Sequence, residues 1–344
     1  MKALFSIFTI NLIAVMLCVV CTSNNAYAEN KGILKKLNIA KKHFKKKECK
    51  KMIEVLNQSI ADLSSMWLKK MAYCFKKTNN LKQGQNIYIQ ILHKNPNDYF
   101  SHFALAKLYQ KENLQKKDKA PIAKLVSKHF RLAVKKKKTF VAAYYYLFKI
   151  LRKEKNYYEI QALSEALLKS VKNNKKALVN LCFSYFKQDY VYESVIWCKQ
   201  AIKHNKKTPI AENFVYLSIS LNKQREKSGD KLILYAEKKF PKSLIIAETL
   251  ANKYYKYKKY SLSSKYYKKI IELKSKDFNS LKNAIWNFFE TKKYDLALKA
   301  VKQLCSINKQ DAVHVVRTAI NKLETSNQKQ WLSPYKLSLA KDCY

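Results

Sequence analysis

Between Ser65 and Asp98 the apolar residues recur at every third or fourth position, in two runs parted by Thr78, Asn79 and Asn80. Leu68, Met71, Ala72 and Phe75 make one stripe, and Gly84, Tyr88 and Ile91 make the other. This spacing predicts two amphipathic helices facing each other across a polar turn. Pro96 closes the unit just past the second run, where a helix should stop. One small residue per helix, Ala72 and Gly84, lets the backbones approach, and the large side chains fill the space around that contact.

The unit recurs along the chain. A large residue near the end of each predicted first helix stands at Phe75, Tyr109, Leu151, Tyr185, Leu221, Tyr254 and Phe288, with gaps of 34, 42, 34, 36, 33 and 34. A packing residue late in each second helix stands at Ile91, Ala133, Leu167, Ala201, Ala236, Ile270 and Leu304, with gaps of 42, 34, 34, 35, 34 and 34. Two separate ladders with one period identify a repeat array. The hairpins run Lys31–Leu63, Ser65–Asp98, Tyr99–Lys138, Val141–Asn174, Lys175–Lys207, Ala211–Phe240, Leu244–Asp277 and Phe278–Lys309. In the first, Leu37, Ala40 and Phe44 face Met52, Ile53 and Leu56. The third carries a polar, lysine-rich insertion around Glu112–Pro121, read as a surface loop. Asp311–Leu323, within a tail from about 310 to 344, is expected to cap the last exposed apolar face.

This hairpin resembles the tetratricopeptide repeat, and the resemblance covers nearly all of residues 29–344. The motif is degenerate, because most units lack the tryptophan and glycine of its best-known form. The resemblance implies an all-α fold, an α-solenoid (superhelix) of about eight hairpins with a C-terminal capping helix. In that family the first helices line a concave face where ligands are held, which implies a non-enzymatic scaffold for a protein or peptide segment. Projecting the packed stripe one face over gives the expected groove: Lys69, Tyr73, Phe103, Lys107, Tyr145, Lys149, Arg152, Phe183, Phe186, Asn252, Tyr255, Lys282, Trp286 and Phe289. Aromatics beside lysines suit an extended partner with both apolar and acidic groups. The alternative for each aromatic is packing against the neighbouring repeat. Some family members grip a terminal carboxylate with a lysine and an asparagine on adjacent turns. Lys69 matches the lysine, and Tyr73 stands where the asparagine belongs.

Composition agrees with the helical pattern. Only three glycines and five prolines occur in 344 residues, 48% of them hydrophobic, which argues against a sandwich, barrel or doubly wound sheet. The N-terminus reads as an export signal: Lys2, an apolar run from Ala3 to Cys21, and the small-x-small site Ala26-Tyr27-Ala28. Val20 precedes Cys21 where a lipoprotein signal needs a small residue, so cleavage is expected after Ala28, leaving a periplasmic or extracellular chain from Glu29.

The formal charge of +45 points toward anionic surfaces, an acidic polymer or a membrane face. Only four of the 69 basic residues are arginine (Arg131, Arg152, Arg225 and Arg317), whereas bidentate phosphate and base-edge contacts favour arginine. Specific nucleic-acid binding is therefore not expected. A lysine-coated carrier for an acidic exopolysaccharide is the runner-up to the peptide scaffold.

Six cysteines follow the signal, and an even number in an exported chain permits disulfides. The repeat geometry brings together Cys49 with Cys74, Cys182 with Cys198, and Cys305 with Cys343; buried free thiols at helix contacts are the alternative. No C-x-x-C, H-E-x-x-H, G-x-S-x-G or glycine-rich phosphate loop is present. His93 and His204 fall near the ends of second helices, where a cation suits the helix dipole. No catalytic residue, metal or cofactor is expected.

Overall fold

The computed structural model describes residues 32–115 and 120–344, so the expected export signal lies outside the described residues. The chain divides into two compact units, Met1–Glu154 and Lys155–Tyr344. The first holds α1 (32–45), α2 (Cys49–Leu56), α3 (Ser65–Lys77), α4 (Leu81–Lys94), α5 (Tyr99–Asn113), α6 (Ala120–Lys136) and α7 (Val141–Lys153). The second holds α8 (Tyr157–Ser170), α9 (Lys175–Lys187), α10 (Val191–His204), α11 (Ala211–Lys223), α12 (Ser228–Lys239), α13 (Leu244–Lys256) and α14 (Tyr260–Glu272). It continues with α15 (Phe278–Glu290), α16 (Tyr294–Ile307), α17 (Lys309–Thr325) and α18 (Leu332–Asp342). No strand occurs among the described residues; the fold is an all-α solenoid of antiparallel hairpins.

Within each unit successive helices from α2 onward pack on one another, and in the second unit α9, α11, α13 and α15 also pack on one another in turn. Both sequence ladders fall on these contacts. All seven residues of the second ladder, from Ile91 to Leu304, have no exposed surface. In α4, a Cβ on Gly84 would lie 3.3 Å from the carbonyl of Ala72 and 3.2 Å from Leu108 Cδ1. The small pair therefore sets the spacing of α3 and α4, as the stripe predicts. Pro96, Pro209 and Pro241 lie in the connections ahead of α5, α11 and α13.

First helices end by one recurring device. After α3 the residue Asn79 has φ 64°; its N–H bonds to Lys76 O, and the next N–H, of Asn80, reaches back to Phe75 O. The same two bonds follow α9, α11, α13 and α15, with Asp189, Arg225, Lys258 and Lys292 in the left-handed position. Glycine normally fills this place because a Cβ there is crowded. The carbonyl that takes the long bond belongs each time to the first-ladder residue, so one position both packs the hairpin and anchors its turn.

Three expectations need correction. The insertion near Glu112–Pro121 is not wholly a loop: α5 runs on through Asn113, with Gln85 donating to Glu112 (2.7 Å), and Pro121 sits in the first turn of α6, where its missing N–H costs nothing. In the first hairpin α2 stops at Leu56 and passes into a 3-10 turn, Asn57–Asp62, kinked at Ser59. The capping helix α17 does bury Ala312, Val316, Ala319 and Leu323, but a further helix follows it. That helix, α18, packs on α16 and α17 and buries Tyr335, whose hydroxyl donates to Tyr294 O at 3.0 Å.

The six cysteines lie in three pairs with their sulfurs at bonding distance: Cys49 with Cys74, Cys182 with Cys198, and Cys305 with Cys343. Their Cα separations are 4.8, 4.6 and 4.8 Å. The first joins α2 to α3, the second the two helices of one hairpin, and the third the end of the chain to α16.

Within the α5–α6 hairpin, His102 Nδ1 lies 3.0 Å from His129 Nδ1, and His102 Nε2 lies 3.1 Å from Pro96 O. One proton serves the inter-ring contact, so a second imidazolium charge is opposed. Burial, then His102 and Lys128, hold His129 down to about 4; burial foremost also lowers His102, against the hydrogen bond to the Pro96 carbonyl, with Lys136 and Lys128 adding to the fall and Asp98 opposing it.

Two outcomes follow for stability. Below the ordinary histidine pKa of 6.5 the unfolded chain takes up protons that the folded pair refuses. Stability should thus be complete above that pH and decline as pH falls toward 4, by about 2–3 kcal/mol for His129. His129→Gln should flatten this fall in urea titrations; an unchanged slope would refute it. Lys258→Gly and Lys292→Gly, which relieve left-handed lysines, should each raise the urea midpoint by the equivalent of about 1 kcal/mol.

Candidate functional site

In the first unit, the side chains expected to line a groove are largely answered by the protein itself. Lys69 of α3 forms an ion pair with Asp98, the N-cap of α5, which also accepts from Ser101 N–H at 2.9 Å. Partial burial opposes ionisation of Asp98, but the bonds from Lys69 and Ser101 outweigh it and hold the carboxyl below its usual range. Phe103 packs among Phe130, Phe140 and Tyr146, with ring centroids 5.0–5.8 Å away. Lys107 donates to the Tyr146 hydroxyl at 2.7 Å and lies over that ring. Lys149 covers Tyr145 at 4.5 Å, while Tyr73 remains exposed beside Phe44 and Lys77. Arg152, at the end of α7, is partly exposed. The Lys76 ammonium is pushed down by burial and then by Lys107, Lys111 and Lys77. This face is a lysine-and-ring surface.

In the second unit two expected groove residues are core. Phe183 is 7% exposed, lying against Tyr157 and Tyr216, and Phe289 is 5% exposed, lying against Tyr294 and Tyr335. Projection by one face missed this because the covering rings come from neighbouring helices, and for Phe289 from the unforeseen α18. Phe186 stacks on Tyr216 at 4.4 Å, Trp286 leans on Phe289 at 5.7 Å, and Lys282 is exposed. Tyr255 is half-buried against Tyr260 and Tyr267. Asn252 is fixed by its partners: its Oδ1 accepts from Tyr267 (2.8 Å) and Asn283 (3.3 Å).

The open recess of this unit lies along α11, α13 and the start of α15, with a volume of about 760 Å³. Asn252 is the only expected groove residue on its wall. Ile219, Ile233, Ile245 and the 63%-exposed Tyr257 give it apolar surface. Its polar groups include the ion pair Lys253–Asp230, with Asp230 held below the usual carboxylate range chiefly by the bond from Lys253. They also include Glu248 of α13 and Asp277, the N-cap of α15. Burial raises the Glu248 carboxyl; a hydrogen bond from Ser275 (2.6 Å) opposes this and Asp277 adds to it. Gly229 brings the start of α12 against α11: a Cβ there would collide with Asn222 and with the Ser218 carbonyl at 2.6 Å. Sequence reasoning passed over this recess because the groove projection took no residue from the looser hairpin Ala211–Phe240. The first-ladder spacing, carried through Leu221, would have placed Ile219 beside Asn252.

Among the described residues no group of three His, Cys, Asp or Glu is placed to hold a metal ion.

No family model matches the chain, and no curated protein matches it. Solved structures do. A tetratricopeptide repeat protein from Parabacteroides merdae is similar at 12% identity over 73% of this chain and 96% of that one, with a TM-score of 0.55. YrrB, described as a TPR protein with an unusual peptide-binding site, is similar at 12% identity over 58% of this chain and 95% of its own, with a TM-score of 0.44. Yeast Tom70 is similar at 15% identity over 83% and 63%, also at 0.44. The first likeness is one of fold: this chain folds as a tetratricopeptide-like helical-repeat protein.

Proposed function

We propose that the protein is a non-catalytic scaffold that binds an extended protein or peptide segment on its first helices, chiefly in the recess of the second unit. The carrying observation is that recess: about 760 Å³, walled by packed helices and lined by both apolar and fixed polar groups. Helix walls hold such a surface in shape before a partner arrives, so little ordering is lost on binding. Surface lysines speed encounter with a partner more than they set its affinity.

We also propose that the chain is exported and works in a bacterial-type cell envelope. The N-terminal charge, apolar run and Ala26-Tyr27-Ala28 support this, as do three cysteine pairs at bonding distance. Among the described residues no helix is long and apolar enough to cross a membrane.

Both readings have direct tests. Dodecapeptides selected from a random library on the intact chain should lose about tenfold in affinity on Ile219→Ala plus Tyr257→Ala, with melting unchanged. Phe183→Ala, in contrast, should act on stability. Affinity for an acidic polysaccharide that falls steeply with salt, spread over many lysines, with no peptide selected, would favour the polymer reading instead. Peptide mapping of the native protein without reductant should find Glu29 at the N-terminus and three linked cysteine pairs. Three or more free thiols would end the pairing, each bond of which should stabilise by about 2–4 kcal/mol.

A further inference from the structure

Three lysines on the first helices of the first unit are partly covered, and no described carboxylate answers them. Lys76 lies near the end of α3, one residue past the ladder residue Phe75. Lys107 and Lys111 stand two before and two after Tyr109, one turn apart on α5. All three are partly buried, unlike the open lysines elsewhere on the surface. Lys111 reaches back to Asn79, just past α3, at 2.9 Å, and Lys107 reaches forward to Tyr146 of α7 at 2.7 Å. These two bonds tie the end of α3 to α5 and α5 to α7 at one place. Like charges one turn apart weaken a helix, and covering an ammonium without a counter-charge costs more.

Each ammonium has three N–H groups to place. Lys107 spends one on a phenol oxygen and Lys111 one on an amide oxygen, while Lys76 donates to no described residue. None of the three forms an ion pair among the described residues. The carboxylates carried on α5 and its cap are engaged elsewhere, Asp98 by Lys69 and Ser101, Glu112 by Gln85. Burial, then Lys107, Lys111 and Lys77, push the Lys76 ammonium down, and only Tyr146 opposes them. Tyr146 adds a donor of its own. Its oxygen accepts from Lys107, and its O–H has no acceptor among the described residues. The second unit is built otherwise: two before its ladder residues stand Phe183, Ile219, Asn252 and Trp286, where the first has Tyr73, Lys107 and Lys149.

Resting on the proposed peptide-binding reading and deepening it, we infer that the first unit holds an acidic stretch of the partner segment, with one glutamate or aspartate carboxylate seated among Lys76, Lys107 and Lys111 and accepting from the Tyr146 hydroxyl. A carboxylate supplies what this face lacks, two oxygens able to take several donors at once. The donors are gathered in one partly covered place, which suits a single side chain better than a polymer charged at every step. The exposed ring of Tyr73 and the lysine-covered ring of Tyr145 offer flat surface to the residues beside that carboxylate. Lys69 takes no part, because Asp98 holds it.

The test uses the intact chain and C-terminally amidated dodecapeptide pools with one position fixed as Glu, Gln or Lys, read by fluorescence polarisation. Glu pools should bind best. Lys76→Gln should weaken a selected glutamate peptide about tenfold and leave its Glu→Gln version unchanged, and Tyr146→Phe should weaken the glutamate peptide about threefold. Lys169→Gln, at an exposed position of α8, should change neither peptide. The free Lys76→Gln protein should melt higher than the wild type, because the variant removes a covered charge that has no partner. Equal weakening by Lys76→Gln and Lys169→Gln, or equal weakening of both peptides by Lys76→Gln, would overturn the site in favour of general charge attraction. No preference for Glu pools, with neutral peptides still bound and still sensitive to Ile219→Ala plus Tyr257→Ala, would overturn it and leave peptide binding standing. Binding of no pool by the wild-type chain would overturn both.

Discussion

Within each unit of this protein a hairpin has an apolar side that it cannot cover alone, and the neighbouring helices of that unit cover it. The fully buried second ladder, Ile91 through Leu304, is the physical record of that dependence. Burying side chains of this size contributes on the order of 1.5–3 kcal/mol each for the larger ones, which a two-helix unit standing alone would forfeit. Stacking is therefore a condition of folding, and it brings successive first helices side by side. The recess of the second unit is a by-product of that arrangement: α11, α13 and α15 are held by their own hairpins and leave a walled surface between them.

The chain reaches this architecture with almost no glycine. Its left-handed helix ends are filled by asparagine, aspartate, arginine and lysine, each at some conformational cost. Glycine is kept at Gly84 and Gly229, where backbones come closest and a Cβ would press on a carbonyl. Local turn preference yields here to helix packing, because the ladder side chain beside each turn is held by the partner helix.

Charge follows a similar division. The lysine excess lies mainly on the outside, and several lysines lie over tyrosine or phenylalanine rings, as Lys107 over Tyr146 and Lys149 over Tyr145. The acidic residues are few, so where they sit carries more information. Asp98 and Asp277 cap helices, Asp230 holds Lys253, and Glu248 accepts from the Ser275 hydroxyl in the recess.

The helical period, the hairpin boundaries, the small contacts at Ala72 and Gly84, and the prolines between units were all legible in the sequence, because they depend on spacing along one chain. The exposure of single aromatics was not. Phe183 and Phe289 share the face of Tyr73 and Trp286 by helical projection, yet neighbouring helices cover the first two and leave the others partly open. Nor did the pattern foresee that α5 and α6 would take up part of the insertion, or that α18 would close over Tyr335. Residue order determines which side of a helix is oily; only tertiary packing decides which neighbour covers it, because burial is a property of two surfaces and periodicity describes one.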